Sequence, residues 1–160
     1  MRSLVAQILG ISLPLLITSG LTAYIISSWV LVFLRVLGIT RYSPRMYWAC
    51  GMFGSLRGAA LFGGRLARAA ALSVVVPALY ALIFEVIGNA ELPFGAIVGL
   101  VHAVIVGIAL PLVAARDGCA KAPPPGLFGW RLGMATPLVV LLVYALYGAT
   151  LGYVYVVVSA

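Results

Sequence analysis

The chain has 160 residues, of which 64% are hydrophobic and 8% are charged, and its mean hydropathy is +1.20. Soluble globular domains carry about 25% charged residues, so this composition excludes a soluble domain and predicts a membrane protein. The net charge of +7 does not indicate nucleic-acid binding, because the basic residues flank apolar runs and form no soluble basic domain.

Four apolar runs predict an all-α, polytopic transmembrane helical bundle, because a crossing helix needs roughly 20 mainly apolar residues. The predicted spans are residues 4–34, 67–87, 93–114 and 134–158 of a single transmembrane domain. The first run begins like a signal peptide but continues past any cleavage point, so we interpret it as an uncleaved span. Its residues Ser19, Ala23 and Ser27 recur every fourth position and form a face of small residues.

A basic loop is predicted at residues 35–66. Residues 46–64 within it could form a helix lying in the membrane interface, with Arg57, Arg65 and Arg68 on one side. The second span should be kinked at Pro77, and it ends close to Glu85. The turn GNAELP leads into the third span, and a second basic loop, residues 115–133, leads into the fourth.

The basic residues predict the topology. Nine of the ten lysines and arginines lie in or next to the two basic loops, and only Arg2 lies elsewhere. By the positive-inside rule these loops are cytoplasmic, so both termini are expected on the periplasmic side of the cell inner membrane. Cys50 and Cys119 then lie in cytoplasmic loops, where we expect reduced thiols that bind no metal.

The third and fourth spans carry ladders of small residues that predict close helix packing. These helix-packing residues are Gly95, Gly99, Ala103 and Gly107 in the third span and Gly148 and Gly152 in the fourth. Such ladders pack helices within a bundle, or they present a face to a partner's transmembrane helices.

His102 is the only histidine of the chain and lies near the middle of the third span. An ionisable side chain at that depth is a functional hypothesis by default. Its simplest interpretation is a neutral imidazole hydrogen-bonded to a neighbouring helix, for instance to Ser73, a threonine or a tyrosine. The alternatives are an axial ligand to a chlorophyll-type pigment or haem, and a role in proton transfer or substrate binding.

Glu85 is the second ionisable candidate, and solvation at the interface would account for it without a function. An axial offset of roughly 10 Å separates it from His102 in a tight hairpin, so we do not expect the two to pair. The sequence contains no nucleotide-binding, serine-hydrolase or zinc-protease motif. We therefore predict that the protein is not an enzyme and has no catalytic or metal-binding residues.

Two segments carry a resemblance, GAIVGLVHAVIVGIALPLV at 95–113 and LYGATLGYVY at 146–155. They resemble small four-helix bacterial integral membrane proteins, in which a third helix with glycines and a histidine precedes a fourth helix with a YG-x-x-x-G pattern. The resemblance covers these two helices and implies the four-helix fold. It implies no activity.

The sequence favours a non-catalytic accessory or structural subunit of a larger membrane complex, with a photosynthetic or respiratory complex as the expected host. Its expected partners are membrane lipid and the transmembrane helices of a hetero-oligomeric complex. The alternative is a small oligomeric transporter or permease that uses His102 and Glu85. An enzyme acting on lipid or quinone is the weakest hypothesis, because no acid, base or metal constellation can be named.

Overall fold

A computed structural model describes residues 13–115 and 123–159. This part of the chain forms helices and no β-strand, which confirms the all-α bundle. The long helices are α1 (Leu13–Val36), α3 (Gly58–Ile87), α4 (Leu92–Ala114) and α5 (Thr136–Ser159), and the short helix α2 is Pro44–Phe53. Each long helix is long and apolar enough to cross a membrane. The protein is therefore a multi-pass membrane protein, although residues 4–12 of the predicted first span lie outside the described part.

Helix α1 turns its small residues towards the bundle. Ser19, Ala23 and Ser27 are at most 2% exposed. The two serine hydroxyls donate to carbonyls one turn earlier, with 2.7 Å from Ser19 Oγ to Leu15 O and 2.7 Å from Ser27 Oγ to Ala23 O. These hydroxyls are satisfied within their own helix, so they form no polar path across the membrane.

The interfacial segment differs from the single helix expected at 46–64. Helix α2 begins with Pro44 in its first turn and ends at Gly54, whose φ of 57° is the left-handed conformation that glycine adopts without strain. Helix α3 then begins at Gly58, nine residues before the predicted start of the second span. As a result, Arg65 and Arg68 belong to a spanning helix and not to a loop.

Helix α3 contains a π-helical turn, Ala71–Val75, which ends two residues before Pro77. The backbone N–H of Val76 bonds to Ala71 O, five residues earlier. The next donor in that pattern would be Pro77, which has no N–H, so Leu72 O needs another partner. The Tyr147 hydroxyl of α5 donates to this carbonyl over 2.6 Å, which joins the irregular turn to α5.

Helices α4 and α5 pack backbone against backbone. A methyl group added at Gly95 would meet the carbonyl of Gly148, and one added at Gly99 would meet the carbonyl of Tyr144. Gly107 instead lies under the ring of Phe128, in the 3₁₀ segment Leu127–Leu132. The other members of the two ladders are also buried: Ala103 is 0% exposed, and Gly152 packs on the turn before α4.

Cys50 corrects the expectation of a reduced thiol. It is 0% exposed and disulfide-bonded. Cys119, the only other cysteine of the sequence, lies outside the described residues. The sequence argument assigned the redox state from the predicted side of the membrane, and it could not anticipate a bond that forms when chain segments pack.

Candidate functional site

The candidate site is centred on His102, which helix α4 carries into the middle of the bundle. Ten residues separate it from the start of α4 at Leu92, a rise of about 15 Å at ~1.5 Å per residue. This depth is half of a hydrocarbon core of roughly 30 Å. Two ladder residues, Gly99 and Ala103, flank it and bring α5 close, so the imidazole lies among aromatic rings of neighbouring helices.

Tyrosines of α3 and α5 surround the imidazole. The Tyr80 hydroxyl lies 3.2 Å from His102 Nδ1. The ring centroid of Tyr144 lies 4.7 Å from that of His102, and Tyr147 follows at 6.4 Å. The sequence named a tyrosine among several partners for His102, and the structure selects Tyr80, 22 residues earlier in the chain.

This hydrogen bond has two possible directions, one for each tautomer of a neutral imidazole. Tyr80 is 4% exposed, and His102 Nδ1 is the acceptor within reach of its hydroxyl among the described residues. With the hydroxyl as donor to Nδ1, which gives this buried hydroxyl an acceptor, the proton of a neutral imidazole lies on Nε2; the other tautomer reverses both roles. Nε2 has no partner in the described part of the chain, so in either tautomer it is a polar group open to a ligand.

A cavity of about 350 Å³ lies next to the imidazole. It lies between α2 and the second half of α4, and it extends from His102 in the middle of the bundle to α2. Met52 is 58% exposed, so the cavity reaches the molecular surface there. Apart from His102 and tyrosine hydroxyls, its lining is apolar or aromatic: Tyr42, Tyr47, Trp48, Gly51, Met52, Leu72, Val76, His102, Val106, Ala109, Leu110, Val113 and Tyr144.

The tyrosines of the interfacial region are neutral donors. Burial raises the pKa of Tyr47 to about 12, and its hydroxyl donates to Pro123 O over 3.1 Å. Burial also raises the pKa of Tyr42 well above the ordinary value. With no charged side chain in its lining, the cavity suits an uncharged, largely apolar molecule with a polar end.

A pigment or haem iron at His102 would have to be held by Nε2, because Nδ1 lies next to the Tyr80 hydroxyl. A metal ligand needs an unprotonated ring nitrogen, which Nε2 is in the tautomer whose Nδ1–H donates to the Tyr80 hydroxyl. That tautomer leaves the hydrogen of the buried hydroxyl without an acceptor among the described residues. Within the described ranges, no three His, Cys, Asp or Glu side chains lie close enough together to hold a metal ion.

The structure does not bring Glu85 to His102. Glu85 accepts a hydrogen bond from Tyr155, near the far ends of α3 and α5. Between the two sites lies Phe84, which contacts Tyr80 and Tyr155 with centroid distances of 6.0 and 5.7 Å. A phenyl ring carries no exchangeable proton, so the aromatic chain from His102 to Glu85 is not a proton path.

Sequence reasoning missed most of the residues that form this site. Trp48 and Met52 were placed in the basic loop, within the segment expected to form an interfacial helix, and Tyr80 and Tyr144 carried no individual signal. The one usable signal was segment 46–64, which predicted an interfacial helix but not what would pack beneath it.

No protein-family model, curated protein or solved structure matches this chain. The resemblance to small four-helix bacterial membrane proteins therefore stays a prediction.

Proposed function

We propose that this protein binds a lipophilic, ring-bearing molecule that comes from the bilayer and carries a carbonyl or ether oxygen as a hydrogen-bond acceptor. The ring occupies the aromatic cavity, and His102 Nε2–H donates to the oxygen. One observation supports this most strongly: a cavity of about 350 Å³ has among its lining residues an imidazole whose Nε2 is unpartnered, and apart from this ring and tyrosine hydroxyls its lining is apolar or aromatic. Known pockets for small molecules begin at about 300 Å³, which favours one ring and not a porphyrin. A quinone headgroup has the required shape and polarity.

We propose a binding function and not catalysis. The cavity lining contains no carboxylate, lysine, arginine or thiol, so the groups that could transfer a proton are His102 and the tyrosine hydroxyls. The small-residue faces that favoured an accessory subunit are occupied inside the bundle, so the proposal names no host complex. The transporter alternative loses support because His102 and Glu85 belong to separate contacts.

We further propose that the protein lies in the cell inner membrane with both termini periplasmic. The arginines of α1, α2 and the start of α3 support this orientation through the positive-inside rule. The disulfide at Cys50 argues for the opposite side, because disulfides persist in oxidising compartments. We give the charge distribution more weight, because nine basic residues contribute to it.

Trp48 provides a direct assay, because it lines the cavity, whereas Trp29 and Trp130 are 71% and 55% exposed. Replacing both exposed tryptophans by phenylalanine leaves Trp48 as the only tryptophan of the chain. Titration of this protein in mild detergent with a decyl-substituted benzoquinone should quench Trp48 in a saturable manner. A quinone ring bound close to the Trp48 indole is expected to quench its fluorescence until the site is full. Quinone that only dissolves in the detergent around the outer surface would give quenching that does not saturate.

The His102→Ala variant tests the polar contact. Loss of one hydrogen bond should weaken binding about three- to tenfold. Ile105→Ala, on the same helix but 62% exposed, is the matched control and should leave the affinity unchanged. Quenching that does not saturate, or an equal loss of affinity in both variants, would contradict the proposal.

A further inference from the structure

A second pocket, separate from the His102 cavity, lies where α1, α2 and α3 meet on the side of the basic loops. Its volume is about 220 Å³, far above the ~10–15 Å³ that accommodates one water molecule. Four arginines line it: Arg35 in the last turn of α1, Arg45 in the first turn of α2, and Arg65 and Arg68 in α3. The positive-inside rule explains basic residues in loops, but it does not require them to converge on one pocket.

The lining contains no acidic residue to balance these charges. An arginine side chain does not lose its proton in a protein, so four cationic residues border the pocket, of which Arg68 is half-buried and the other three are exposed. Among the described residues, the Arg68 guanidinium lies 5.3 Å from the ring centroid of Tyr24, a contact that leaves its positive charge unbalanced. A bound anion would balance these positive charges.

Unsatisfied donors point to the same place. In the described part of the chain, four buried side-chain polar atoms lack a hydrogen-bond partner, and three of them belong to residues that line this pocket: Ser28 Oγ, Ser43 Oγ and Arg68 Nε. Ser43 is 3% exposed. A serine hydroxyl can donate a hydrogen bond, and a guanidinium nitrogen can only donate. A hydrogen-bond acceptor is therefore the one kind of group that could pair with all three atoms. A phosphate group presents several acceptor oxygens and a negative charge.

We propose that this pocket binds the phosphate group of an anionic phospholipid. The pocket lies where the spanning helix α1 ends, and its wall includes Leu31 and Val32, of which Val32 is 48% exposed. A lipid can place its phosphate among the arginines and its acyl chain along this apolar surface. Inorganic phosphate shares the charge but gains nothing from the apolar wall.

The test uses the full-length protein in mild detergent and native mass spectrometry. The probe is dioctanoyl phosphatidylglycerol, compared with dioctanoyl phosphatidylcholine. One anionic lipid should bind per chain, and the zwitterionic lipid should bind more weakly. Arg65→Gln/Arg68→Gln should weaken phosphatidylglycerol binding at least about tenfold, which equals one lost charge-assisted hydrogen bond.

A matched control removes the same charge outside the pocket. Arg41→Gln/Arg57→Gln should change the affinity by less than about twofold, because both residues are exposed and do not line the pocket. Equal losses in the two double variants, or equal binding of the two lipids, would overturn the proposal. Displacement of bound phosphatidylglycerol by equimolar inorganic phosphate would assign the pocket to free phosphate and overturn the lipid assignment.

Two gentler variants keep the test valid if the double arginine variant does not fold. Ser43→Ala retains all four charges and removes one hydroxyl donor. Arg68→Lys retains the charge and removes the unpartnered Nε–H. Both should weaken phosphatidylglycerol binding several-fold, since each removes a donor from the pocket. Unchanged affinity in both variants would overturn the proposal, because the unpartnered donors would then not contact the lipid.

Discussion

Gly99→Ala should destabilise the protein, because Gly99 brings α4 against α5 next to His102. An ideal methyl group there would lie inside van der Waals contact with the Tyr144 carbonyl oxygen and 2.9 Å from its carbonyl carbon. The obstructing atoms are backbone, so the helices must move apart. Overpacking costs about 1–3 kcal/mol, and backbone contact places this site at the upper end. Alanine is better than glycine in a helix by about 1 kcal/mol, so the expected net loss is about 2 kcal/mol.

Gly58→Ala is the matched control for this substitution. Gly58 is also helical, but nothing lies within 4 Å of the methyl group that alanine would add. This variant should gain at most about 1 kcal/mol. SDS titration of the purified protein in mixed micelles, followed by near-ultraviolet circular dichroism, measures both changes. Equal stability of the two variants would refute the close α4–α5 contact on which the position of His102 depends.

Three further predictions follow from the hydrogen bonds and the topology. Tyr147→Phe should cost about 1–3 kcal/mol in the same unfolding assay, because the buried carbonyl of Leu72 loses its donor. Burial raises the Tyr47 pKa from 10.0 to about 12, so as the pH rises Tyr47 loses its proton first in the unfolded state. The free energy of unfolding should therefore fall between pH 10 and 12 by up to ~1.4 kcal/mol per pH unit. In Tyr47→Phe, measured in the same way, this fall should be less steep. An alkaline phosphatase fused after Ala160 should be active, since we place the C terminus in the periplasm. If that fusion is inactive while a green fluorescent protein fused at the same position is fluorescent, the C terminus is cytoplasmic. The orientation would then be reversed, and Cys50 would lie on the oxidising side.

Hydropathy predicted the spanning helices well where apolar runs have sharp ends. The third span was expected at 93–114, and α4 is Leu92–Ala114. The start of α3 was missed because glycines and arginines between 54 and 68 lower both helix propensity and hydropathy. In the folded chain this segment packs on α2, with Gly64 against the backbone of Ala49. Tertiary contact therefore decides a boundary that local propensity does not.

The candidate site could be predicted only at its centre. A single histidine in the middle of an apolar span is recognisable from the sequence alone as a candidate functional residue. Its partner Tyr80, the ring of Tyr144 and the Trp48 wall come from three other helices, and their meeting depends on helix rotation and on the position of α2. A single sequence contains no direct signal for either. The small-residue ladders indicated close packing, but not that they would face inward.

The proposed lipophilic ligand can be located most directly by photolabelling. The full-length protein in lipid nanodiscs would be irradiated with an azido-substituted benzoquinone, and labelled peptides would be mapped by mass spectrometry. The account predicts labels on α2, at Trp48 or Met52, and on α4 between His102 and Val113, with loss of labelling when excess unlabelled quinone is added. Labels spread over lipid-facing positions such as Ile25 and Val157, with no effect of competitor, would contradict a binding site at His102.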